Sequence, residues 1–506
     1  WNPIFAHSHA NFIGKVADTL AEAGHEVVMV SPVIHTGIRN VTSRHARLIH
    51  VEGNEFTKDY GRLQDASMSE GLWTGSQNPY EFVQISKSLL PYWAEMCRII
   101  LHDDDLLHRL RAEQFDGAFG EYLELCGFGV FYAIGIKKYS VTQTMASIDD
   151  SFITGVPLFP SFTPGLLSWH GDRMSFTERI TNLLFVAIWQ WKYRNLRNGY
   201  NNVFAEYDNT MPSVEEIVRK ASFFFMNTEP LVDFPRMVSR KMIDIGGIAA
   251  PATFKALEEP LSSELSLRPQ TVYISFGSLM LAHLMPENFK LSIRALALAM
   301  PNVTFIWKYE IPEHNIAAGI ANLITHTWLP QPDLLRDKRL SMFVGHGGAG
   351  SAYETALSGV PTVTVPVMYD QMRNAEMLKR LGIGRIVNRD DLANPEILIE
   401  AVRDVLENEQ YRKSALRVAQ MVAAQPQSVR DRLVSHFEFM AKFGPLDQLD
   451  HAGKYMGIVQ FYNIDIFAFF AAALLLAITI MIVILWRICV CLLNVRIAVK
   501  KNEKNE

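Results

Sequence analysis

The sequence predicts an α/β fold with two domains of parallel sheet, followed by a C-terminal transmembrane helix. Short apolar runs alternate with helix-forming segments in both halves of the chain, which is typical of parallel sheets covered by helices. The 506 residues are too many for one hydrophobic core, so two domains of ordinary size are expected. Residues 466–486 form a nearly unbroken apolar run that is long enough to span a bilayer.

Composition excludes one class of partner. With 49% hydrophobic and 20% charged residues, the chain has a globular composition with an added membrane segment. Its formal net charge of -5 gives no basic surface for nucleic acid, so no nucleic-acid partner is expected. The chain starts at Trp1 rather than Met, which leaves open a removed signal sequence or a truncated first strand.

The first domain, residues 1–244, is predicted to open with the end of a strand, a loop at His7–His9 and a helix. Gly24 ends this helix, and His25–Val30 is the next strand. Apolar residues at helical spacing predict the buried face of the helix, which contains Phe12, Val16, Leu20 and Ala23.

Residues 245–270 are predicted to link the two domains, because their composition changes to glycine, alanine and a polar, proline-bearing segment. The second domain, residues 271–425, begins with a new α/β series. Residues 426–465 are predicted to form helices that return to the first domain, ending in a membrane-proximal segment. The first strands of the second domain are predicted at Thr271–Phe276, Val303–Trp307 and Leu323–His326.

A glycine-rich turn lies at the centre of the second domain. The strand Leu340–Val344 runs into Gly-His-Gly-Gly-Ala-Gly, which is followed by the helix Ser351–Leu357 and the strand Pro361–Pro366. Such a turn presents backbone N–H groups at a helix N-terminus, where an anion such as a diphosphate is favoured.

The same turn also fits a dinucleotide-binding fingerprint. Gly345, Gly347 and Gly350 satisfy G-x-G-x-x-G, and Asp370 follows at the expected distance. In that fingerprint, however, the acid ends the second strand, whereas Pro366–Tyr369 intervene here, and the turn carries a histidine that a dehydrogenase does not require. The dinucleotide interpretation is therefore disfavoured.

A longer pattern around this turn resembles the signature of the UDP-glycosyltransferases, most closely the animal UDP-glucuronosyltransferase type. The resemblance extends over nearly the whole chain and implies the GT-B fold: two facing Rossmann-like domains, with the acceptor bound by the first and the UDP-sugar by the second. The residues that match in order and spacing are Trp328, Gln331, His346–Gly348, Ser351, Glu354, Gly359–Pro361, Pro366 and Asp370–Gln371.

The resemblance implies a role for each matching residue. Trp328 would stack on the uracil and Gln331 would bind its edge. His346 and Ser351, with Gly348 in the turn, would hold the diphosphate. Glu354 would bind the ribose hydroxyls. A carboxylate suits a vicinal diol and cationic or N–H donors suit phosphate. The remaining implied contacts are Asp370 and Gln371 to the sugar hydroxyls and, as a lesser candidate, Ser278 to the donor.

The resemblance also implies a catalytic pair in the first domain. His9 occupies the place of the family's general base, which would accept the proton of the acceptor hydroxyl. Glu121 stands where mammalian members usually have aspartate, and it would orient His9 despite being one methylene longer. The alternatives are a histidine that only caps its helix and a glutamate that faces solvent.

The identity of the donor sugar depends on one departure from the family. Mammalian glucuronosyltransferases, by this resemblance, have an arginine before an Asn-Ser pair, and the equivalent residue here is Met226 before Asn227–Thr228. Methionine cannot pair with a carboxylate, so either Arg373 substitutes or the donor is UDP-glucose rather than UDP-glucuronate. Glucose is favoured. Apart from this co-substrate no cofactor is expected.

No metal site is expected either, because His346 and the helix terminus can serve as the counter-charge to the leaving diphosphate. Asp103–Asp105 resembles a metal-binding D-x-D, but the surrounding residues have helical composition and the run is interpreted as solvated charge. The histidines lack metal-ligand spacing.

The predicted function is an inverting transfer of a glucosyl or glucuronosyl group to a hydroxyl of a small lipophilic acceptor, in detoxification or in lipid or steroid conjugation. The alternative is a catalytically silent, membrane-anchored homologue that binds lipophiles. The aromatic residues 152–191, with a long helix predicted at Phe176–Arg197, are either ordinary core or an acceptor-pocket wall with a membrane-leaning face. Whether the protein forms a homo- or hetero-oligomer is left open.

Localisation is predicted as a single-pass type I protein of the endoplasmic reticulum membrane. Basic residues follow the membrane run, so residues 487–506 form the cytosolic tail and the catalytic domains are lumenal. Two candidate glycosylation sites, Asn40 and Asn302, fit this placement. Cys97 and Cys126 would then lie in the oxidising compartment, where a disulfide is one alternative.

Overall fold

The computed structural model describes residues 1–61, 71–75, 79–145, 151–250 and 254–502. Residues 251–253 of the predicted linker and 503–506 of the predicted tail lie outside the described residues. Residues Trp1–Asp450 form one compact unit, and the chain from His451 onward forms a second.

The strands of the described residues are short and mostly apolar. In chain order they are β1 (Val28–Val33), β2 (Arg47–Glu52), β3 (Ala118–Glu121), β4 (Tyr139–Gln143), β5 (Phe224–Met226), β6 (Met242–Asp244), β7 (Gln270–Ser275), β8 (Val303–Lys308), β9 (Leu323–His326), β10 (Leu340–Gly345), β11 (Thr362–Thr364) and β12 (Gly384–Ile386).

The α-helices of the described residues alternate with these strands. They are α1 (His7–Glu22), α2 (Gly71–Thr74), α3 (Pro79–Leu101), α4 (Asp104–Ala112), α5 (Cys126–Ala133), α6 (Ser151–Thr154), α7 (Phe176–Tyr207), α8 (Val214–Arg219), α9 (Leu261–Glu264), α10 (Glu287–Ala299), α11 (Gln331–Arg336), α12 (Ala349–Ser358), α13 (Gln371–Arg380), α14 (Pro395–Glu407), α15 (Glu409–Ala423), α16 (Val429–Phe443), α17 (Ile458–Phe461) and α18 (Ile464–Asn502).

The second half of the first unit contains a six-stranded parallel sheet in the order β12-β11-β10-β7-β8-β9. The chain builds outward from β7 to β9 and then returns to the other side of β7 with β10. Open sheets of this kind bind ligands outside the carboxyl ends of the strands where the order reverses. The carboxyl ends of β7 and β10 are therefore the expected ligand-binding edge.

The first half follows the same principle. β1 pairs with β2, and β3 to β6 form a four-stranded parallel sheet. The opening residues join the two, because the Ile4 N–H donates to Pro32 O over 2.8 Å and the Trp1 amine donates to Phe119 O in β3 over 2.8 Å. The strand order thus reverses between residues 2–4 and β3. The prediction of an α/β fold with parallel sheets is confirmed, while the exact domain boundaries stay predictions.

Helix α16 returns to the first half of the chain, as expected. Leu433 and Met440 pack in one buried cluster with Phe12 and Phe225. The rings of Phe119 and Phe437 also meet, with centroids 6.0 Å apart. Residues beyond the second sheet therefore complete the core of the first.

Two local predictions differ from the structure. The segment His7–His9, predicted as a loop, is the first turn of α1. Its N-cap is Ala6, which offers no side-chain hydrogen bond to the helix, so the sequence carries no start signal at this point. Ala23 was predicted on the buried face of this helix, but the helix ends at Glu22 and Ala23 is exposed. Gly24 follows with φ +98°.

The second unit contains the long apolar helix α18. Over Ile464–Ala498 it is the one helix of the described residues that could cross a membrane by length and composition. It extends beyond the predicted span 466–486 in both directions.

Candidate active site

One cavity of about 490 Å³ contains nearly all of the predicted site residues. It is lined from both halves of the first unit, at the edge where each strand order reverses. Glu121 is not in its wall but lies directly behind His9. The predicted residues in the wall are His9, Ser278, Trp328, Gln331, His346, Gly348, Ser351, Glu354, Asp370 and Gln371.

The predicted catalytic pair is in contact. Nδ1 of His9, in the first turn of α1, is 3.3 Å from Oε2 of Glu121 at the end of β3. His9 is 9% exposed and Glu121 is completely buried, so the alternative of a solvent-facing glutamate is wrong. Because Nδ1 faces Glu121, Nε2 is the ring nitrogen left for the proton of an acceptor.

The surroundings of Glu121 accommodate its extra methylene. Oε1 accepts the backbone N–H groups of Leu123 (3.3 Å) and Thr144 (3.5 Å), while Oε2 accepts the Thr144 hydroxyl as well as facing His9. These donors come from the ends of the neighbouring strands β3 and β4. A buried carboxylate with this many hydrogen-bond donors is held in one position. Thr144 was not singled out in the sequence, since a threonine after a strand carries no signal of its own.

The glycine-rich turn forms the expected strand-to-helix connection. Gly348 is the N-cap of α12, no described side chain caps this helix end, and residues 348–351 at its start line the cavity. The turn is closely packed: a Cβ on Gly348 would lie 2.5 Å from Nε2 of His346, and one on Gly277 would lie 2.7 Å from its Cε1. Both positions therefore require glycine.

The charge state of His346 differs from the expectation that it serves as a positive counter-charge. Burial, together with the charge of Lys308, lowers the pKa of His346 to about 4, so the imidazole is neutral at pH 7. It can donate one N–H to a phosphate oxygen but supplies no positive charge before the ligand binds.

Lys308 supplies that charge and was missed in the sequence. It ends β8, lines the cavity, and its Nζ donates to Gly277 O over 3.1 Å and to Glu310 Oε1 over 2.8 Å. Nζ also lies 5.6 Å from the ring centroid of Trp328. The available signal was its position at the carboxyl end of a parallel strand, the edge at which the other donor residues were already placed.

The nucleoside end of the site combines an aromatic face and a connected polar cluster. Trp328 is 64% exposed, so its ring is accessible from the cavity. Gln331 Nε2 donates to Ser351 Oγ over 3.0 Å and to Glu354 Oε2 over 2.7 Å, while the Tyr273 hydroxyl donates to Gln331 Oε1 over 3.3 Å. The predicted base- and ribose-binding side chains therefore form one hydrogen-bonded group.

The carboxyl group of Glu354 gives this cluster a pH dependence. Burial raises the pKa of Glu354 to about 7, and the hydrogen bond from Gln331 opposes that rise. The ionised form accepts two hydroxyl hydrogen bonds more strongly than the acid, and its population grows as the pH rises through 7. We expect the KM for the UDP-sugar to fall about fivefold to tenfold between roughly pH 6 and pH 8.

A KM–pH profile of the wild type and of Glu354→Gln checks this expectation. The variant should bind the donor more weakly and show a flat KM over the same interval. His346 contributes little to this interval because its pKa is about 4. A wild-type KM that does not change with pH would exclude ionised Glu354 as the ribose contact.

The sugar end of the site lies at the start of α13. The Asn374 amide donates to Asp370 Oδ2 and to Gly347 O, both over 2.9 Å, and so ties Asp370 to the glycine-rich turn. Burial raises the pKa of Asp370, opposed by the Asn374 hydrogen bond and by the charges of Arg373 and His9. Tyr369, just before it, has φ +56°, a conformation that costs a non-glycine residue about 1–3 kcal/mol.

The two residues considered for the donor carboxylate lie outside the cavity wall. Met226 is completely buried, and the next residue, Asn227, lines the cavity instead, with its amide donating to Thr144 O over 2.7 Å. Arg373 is buried, with Nη2 2.6 Å from Asp233 Oδ1. The position of Arg373 outside the wall and its pairing with Asp233 do not support the hypothesis that it binds a glucuronate carboxylate.

The aromatic segment proves to have more than one role. Trp189 and Leu196 of α7 line the cavity, together with Phe5, Trp93 and Leu123 of the same half. The other face of α7 is exposed and also apolar. Its exposed large side chains include Phe176, Ile180, Leu183, Leu184 and Trp191. The segment is thus both a cavity wall and an apolar surface, and its contact with a membrane stays a prediction.

The remaining predicted features lie away from the cavity. Asp103 accepts the Leu106 N–H at the start of α4 over 2.9 Å, as a helix cap does, and Asp104 and Asp105 are exposed. Within the described part of the chain, no group of three His, Cys, Asp or Glu side chains could hold a metal ion.

Two features bear on the compartment. A disulfide joins Cys97 in α3 to Cys126 in α5. The side chains of Asn40 and Asn302 are exposed, as glycosylation would require, although their modification stays a prediction.

Comparison with known proteins bears on this site. The chain matches the model of the family described as UDP-glucoronosyl and UDP-glucosyl transferase over residues 4–505. The protein ugt-56 of Caenorhabditis elegans, itself only provisionally described as a UDP-glucuronosyltransferase, is 30% identical over 450 residues, which are 88% of this chain and 85% of that protein. UDP-glucuronosyltransferase 3A1 of Xenopus laevis is 26% identical over 455 residues, covering 84% and 86%.

Solved structures agree in fold. CalG4, the calicheamicin glycosyltransferase, matches with a TM-score of 0.59 at 14% identity, covering 88% of this chain and 98% of its own. A single-residue variant of Os79 from O. sativa, solved in complex with UDP, matches with a TM-score of 0.58 at 16% identity, covering 87% and 99%. The predicted GT-B arrangement is confirmed by these similarities.

Proposed function

The chain belongs to the family of UDP-glucuronosyl and UDP-glucosyl transferases, and on this premise we propose that it transfers glucose from UDP-glucose, with inversion, to a hydroxyl of a small lipophilic acceptor. The observation that carries the proposal is the single cavity that joins His9 to the full predicted donor set. UDP-glycosyl transfer as such follows from the family; the sugar, the acceptor and the residue roles are proposed.

The reaction would be a single displacement. Nε2 of His9 removes the proton of the acceptor hydroxyl while that oxygen attacks the anomeric carbon, and the bond from that carbon to the diphosphate breaks. Glu121 stabilises the imidazolium that forms, through the contact at Nδ1. The UDP that leaves takes the bonding electrons, and the N–H groups at the start of α12 and the charge of Lys308 offset its negative charge.

The cavity wall supports glucose rather than glucuronate. A glucuronate carboxylate requires a positively charged partner in a site that excludes water. No arginine is present among the described residues of the wall, where the lysines are Lys192 and Lys308. Lys308 is already held by Glu310 and Gly277, next to the turn proposed for the diphosphate. The sugar position at Asp370 and Gln371 is thus lined by groups that suit hydroxyls.

Turnover with UDP-glucose and UDP-glucuronate, measured side by side on the full-length protein in detergent, tests this choice. We expect kcat/KM for UDP-glucose to exceed that for UDP-glucuronate by about tenfold or more, the typical cost of a buried charge without its partner. A preference for UDP-glucuronate would reverse the assignment of the donor.

A catalytically silent homologue that only binds lipophiles is not favoured. Such a protein would have no need of the His9–Glu121 contact or of a polar cluster at the nucleoside end. It would also have no need of the close glycine packing around His346.

We also infer that α18 anchors the protein in the endoplasmic reticulum membrane, with the catalytic unit in the lumen. Three features support this placement: the apolar length of α18, the basic residues that follow its apolar run 466–486, and the disulfide between Cys97 and Cys126. Protease treatment of intact microsomes tests it, since digestion of the catalytic unit without detergent would contradict a lumenal orientation.

A further inference from the structure

A short segment of the first half of the chain lies in the core of the second half. This segment, residues 71–75, contains α2 and precedes β3 in the chain. Its two large side chains, Leu72 and Trp73, are only 7% and 1% exposed. Both pack in one buried cluster with Phe276 and Phe289. The half that carries the predicted donor residues therefore completes its core with residues of the other half.

Trp73 contacts both ends of the segment 276–281, which follows β7. Its ring lies edge-on to that of Phe276, with centroids 5.1 Å apart, and its Nε1 donates to Leu281 O over 3.0 Å. A buried indole N–H needs an acceptor, and here the acceptor is a backbone carbonyl of the second half. Trp73 thus supports the segment 276–281 by packing and by a hydrogen bond.

Arg389 attaches the segment 71–75 independently of the indole. Its Nη1 donates to Leu72 O over 3.2 Å and to Gly75 O over 2.7 Å, so it holds the chain on both sides of Trp73. Arg389 follows β12 in the second half and is itself buried. Hydrogen bonds from a charged donor are stronger than neutral ones. The position of Trp73 therefore depends on a second contact that can be removed separately.

The segment 276–281 carries part of the cavity wall, because residues 277–280 line the cavity. Lys308 Nζ donates to Gly277 O over 3.1 Å, and a Cβ on Gly277 would lie 2.7 Å from Cε1 of His346. A shift of this segment would therefore disturb both side chains at the diphosphate end of the site. Trp73 is not part of the described wall, so it can act on a ligand only through these residues.

Resting on the proposed function, we propose that Trp73 is a positioning residue for the diphosphate of the UDP-sugar. It holds the segment 276–281 in place against Lys308 and His346. A binding site needs such support from residues behind it, since a small displacement of the contacting groups weakens binding. The first half of the chain thus contributes to donor binding through a side chain that does not touch the donor.

A purely structural role of Trp73 predicts a different pattern of losses. Weaker core packing alone would affect every contact of the donor to a similar extent. A positioning role confines the loss to the diphosphate, because the hydrogen bonds at the nucleoside end join Gln331 to Ser351 and Glu354 rather than to the segment 276–281. UDP and uridine differ by the diphosphate, so a comparison of the two ligands separates the roles.

Calorimetric titrations of UDP and of uridine into the full-length protein in detergent test the proposal. The variants are Trp73→Leu, Trp73→Phe and Arg389→Met, the last of which loosens the segment 71–75 without removing the indole. Val405→Ala is the control, because Val405 belongs to the same buried cluster but lies in the last turn of α14, outside the described wall. Thermal unfolding of each protein measures its loss of stability.

We expect Trp73→Leu to raise the Kd for UDP by about tenfold and the Kd for uridine by less than about twofold. Trp73→Phe keeps a ring but lacks the N–H, so it should raise the Kd for UDP by about threefold. Arg389→Met should also weaken UDP by about threefold and leave uridine unchanged. Val405→Ala should lower the thermal stability and alter neither Kd.

An equal loss of affinity for UDP and uridine would overturn the proposal and leave Trp73 a structural role alone. Unchanged UDP affinity in the folded Trp73 variants would overturn it as well. If Trp73→Leu does not fold, Trp73→Phe and Arg389→Met decide by the same criteria. A folded wild type that binds no UDP would contradict the proposed function, and the role of Trp73 with it, which distinguishes that failure from one confined to the variants.

Discussion

Replacing His9 by alanine should lower the transfer rate by roughly 10²–10⁴-fold while leaving the affinity for UDP within about twofold of the wild type. His9 is the wall residue whose ring nitrogen can accept the acceptor proton, with its other nitrogen 3.3 Å from Glu121. The UDP-binding candidates lie on the other half of the chain, so their contacts do not require the imidazole. Steady-state turnover and calorimetric titration with UDP measure the two effects separately.

The chain offers a matched control for this variant. His25 also pairs with a glutamate, Nε2 to Glu438 Oε1 over 3.1 Å, but the pair is exposed and is not part of the described cavity wall. His25→Ala should therefore retain wild-type turnover. If His9→Ala is as active as His25→Ala, His9 is not the base.

Replacing Glu121 by glutamine should cost roughly 10²-fold or more in kcat. The amide keeps the size of the side chain but removes the charge that stabilises the imidazolium. In the wild type, two backbone N–H groups donate to one oxygen of Glu121, and the Thr144 hydroxyl and His9 face the other. The glutamine amide has one oxygen, so it can accept hydrogen bonds on one side only and leaves the donors on the other side unmatched.

The control for this variant is again the exposed pair of His25 and Glu438. Glu438→Gln makes the same chemical change at His25 and should leave kcat unaltered. Thermal unfolding of both variants separates a catalytic loss from a loss of folded protein. A folded Glu121→Gln enzyme within about threefold of Glu438→Gln would exclude Glu121 from the mechanism.

The sequence was most informative where the chemistry depends on short, ordered motifs. The glycine-rich turn was predictable because strand, turn and helix follow within a few residues, and a Cβ on Gly348 of this turn would lie 2.5 Å from Nε2 of His346. The spacing from Trp328 to Gln371 placed a whole row of side chains on one sheet edge. That edge is where the strand order reverses between β7 and β10.

The contributions that were missed come from residues brought together only by folding. Thr144 reaches Glu121 from a neighbouring strand, and Lys308 of β8 donates to Gly277, which lies against His346 of the glycine-rich turn. Neither belongs to a local motif. The expected charge on His346 was wrong for a related reason, since its pKa depends on burial and on Lys308, which are properties of the assembled site. The pairing of Arg373 with Asp233 could not be predicted for the same reason, because the two residues are 140 positions apart in the chain.

The configuration of the product tests the central claim most directly. Purified full-length protein is incubated with UDP-glucose, which has an α-linked sugar, and a phenolic acceptor, and the anomeric configuration of the glycoside is read by proton NMR while UDP release is quantified. Single displacement driven by His9 predicts a β-glucoside and one UDP released for each glycoside formed. An α-glucoside would contradict it, because retention requires a second displacement or a different geometry at the anomeric carbon.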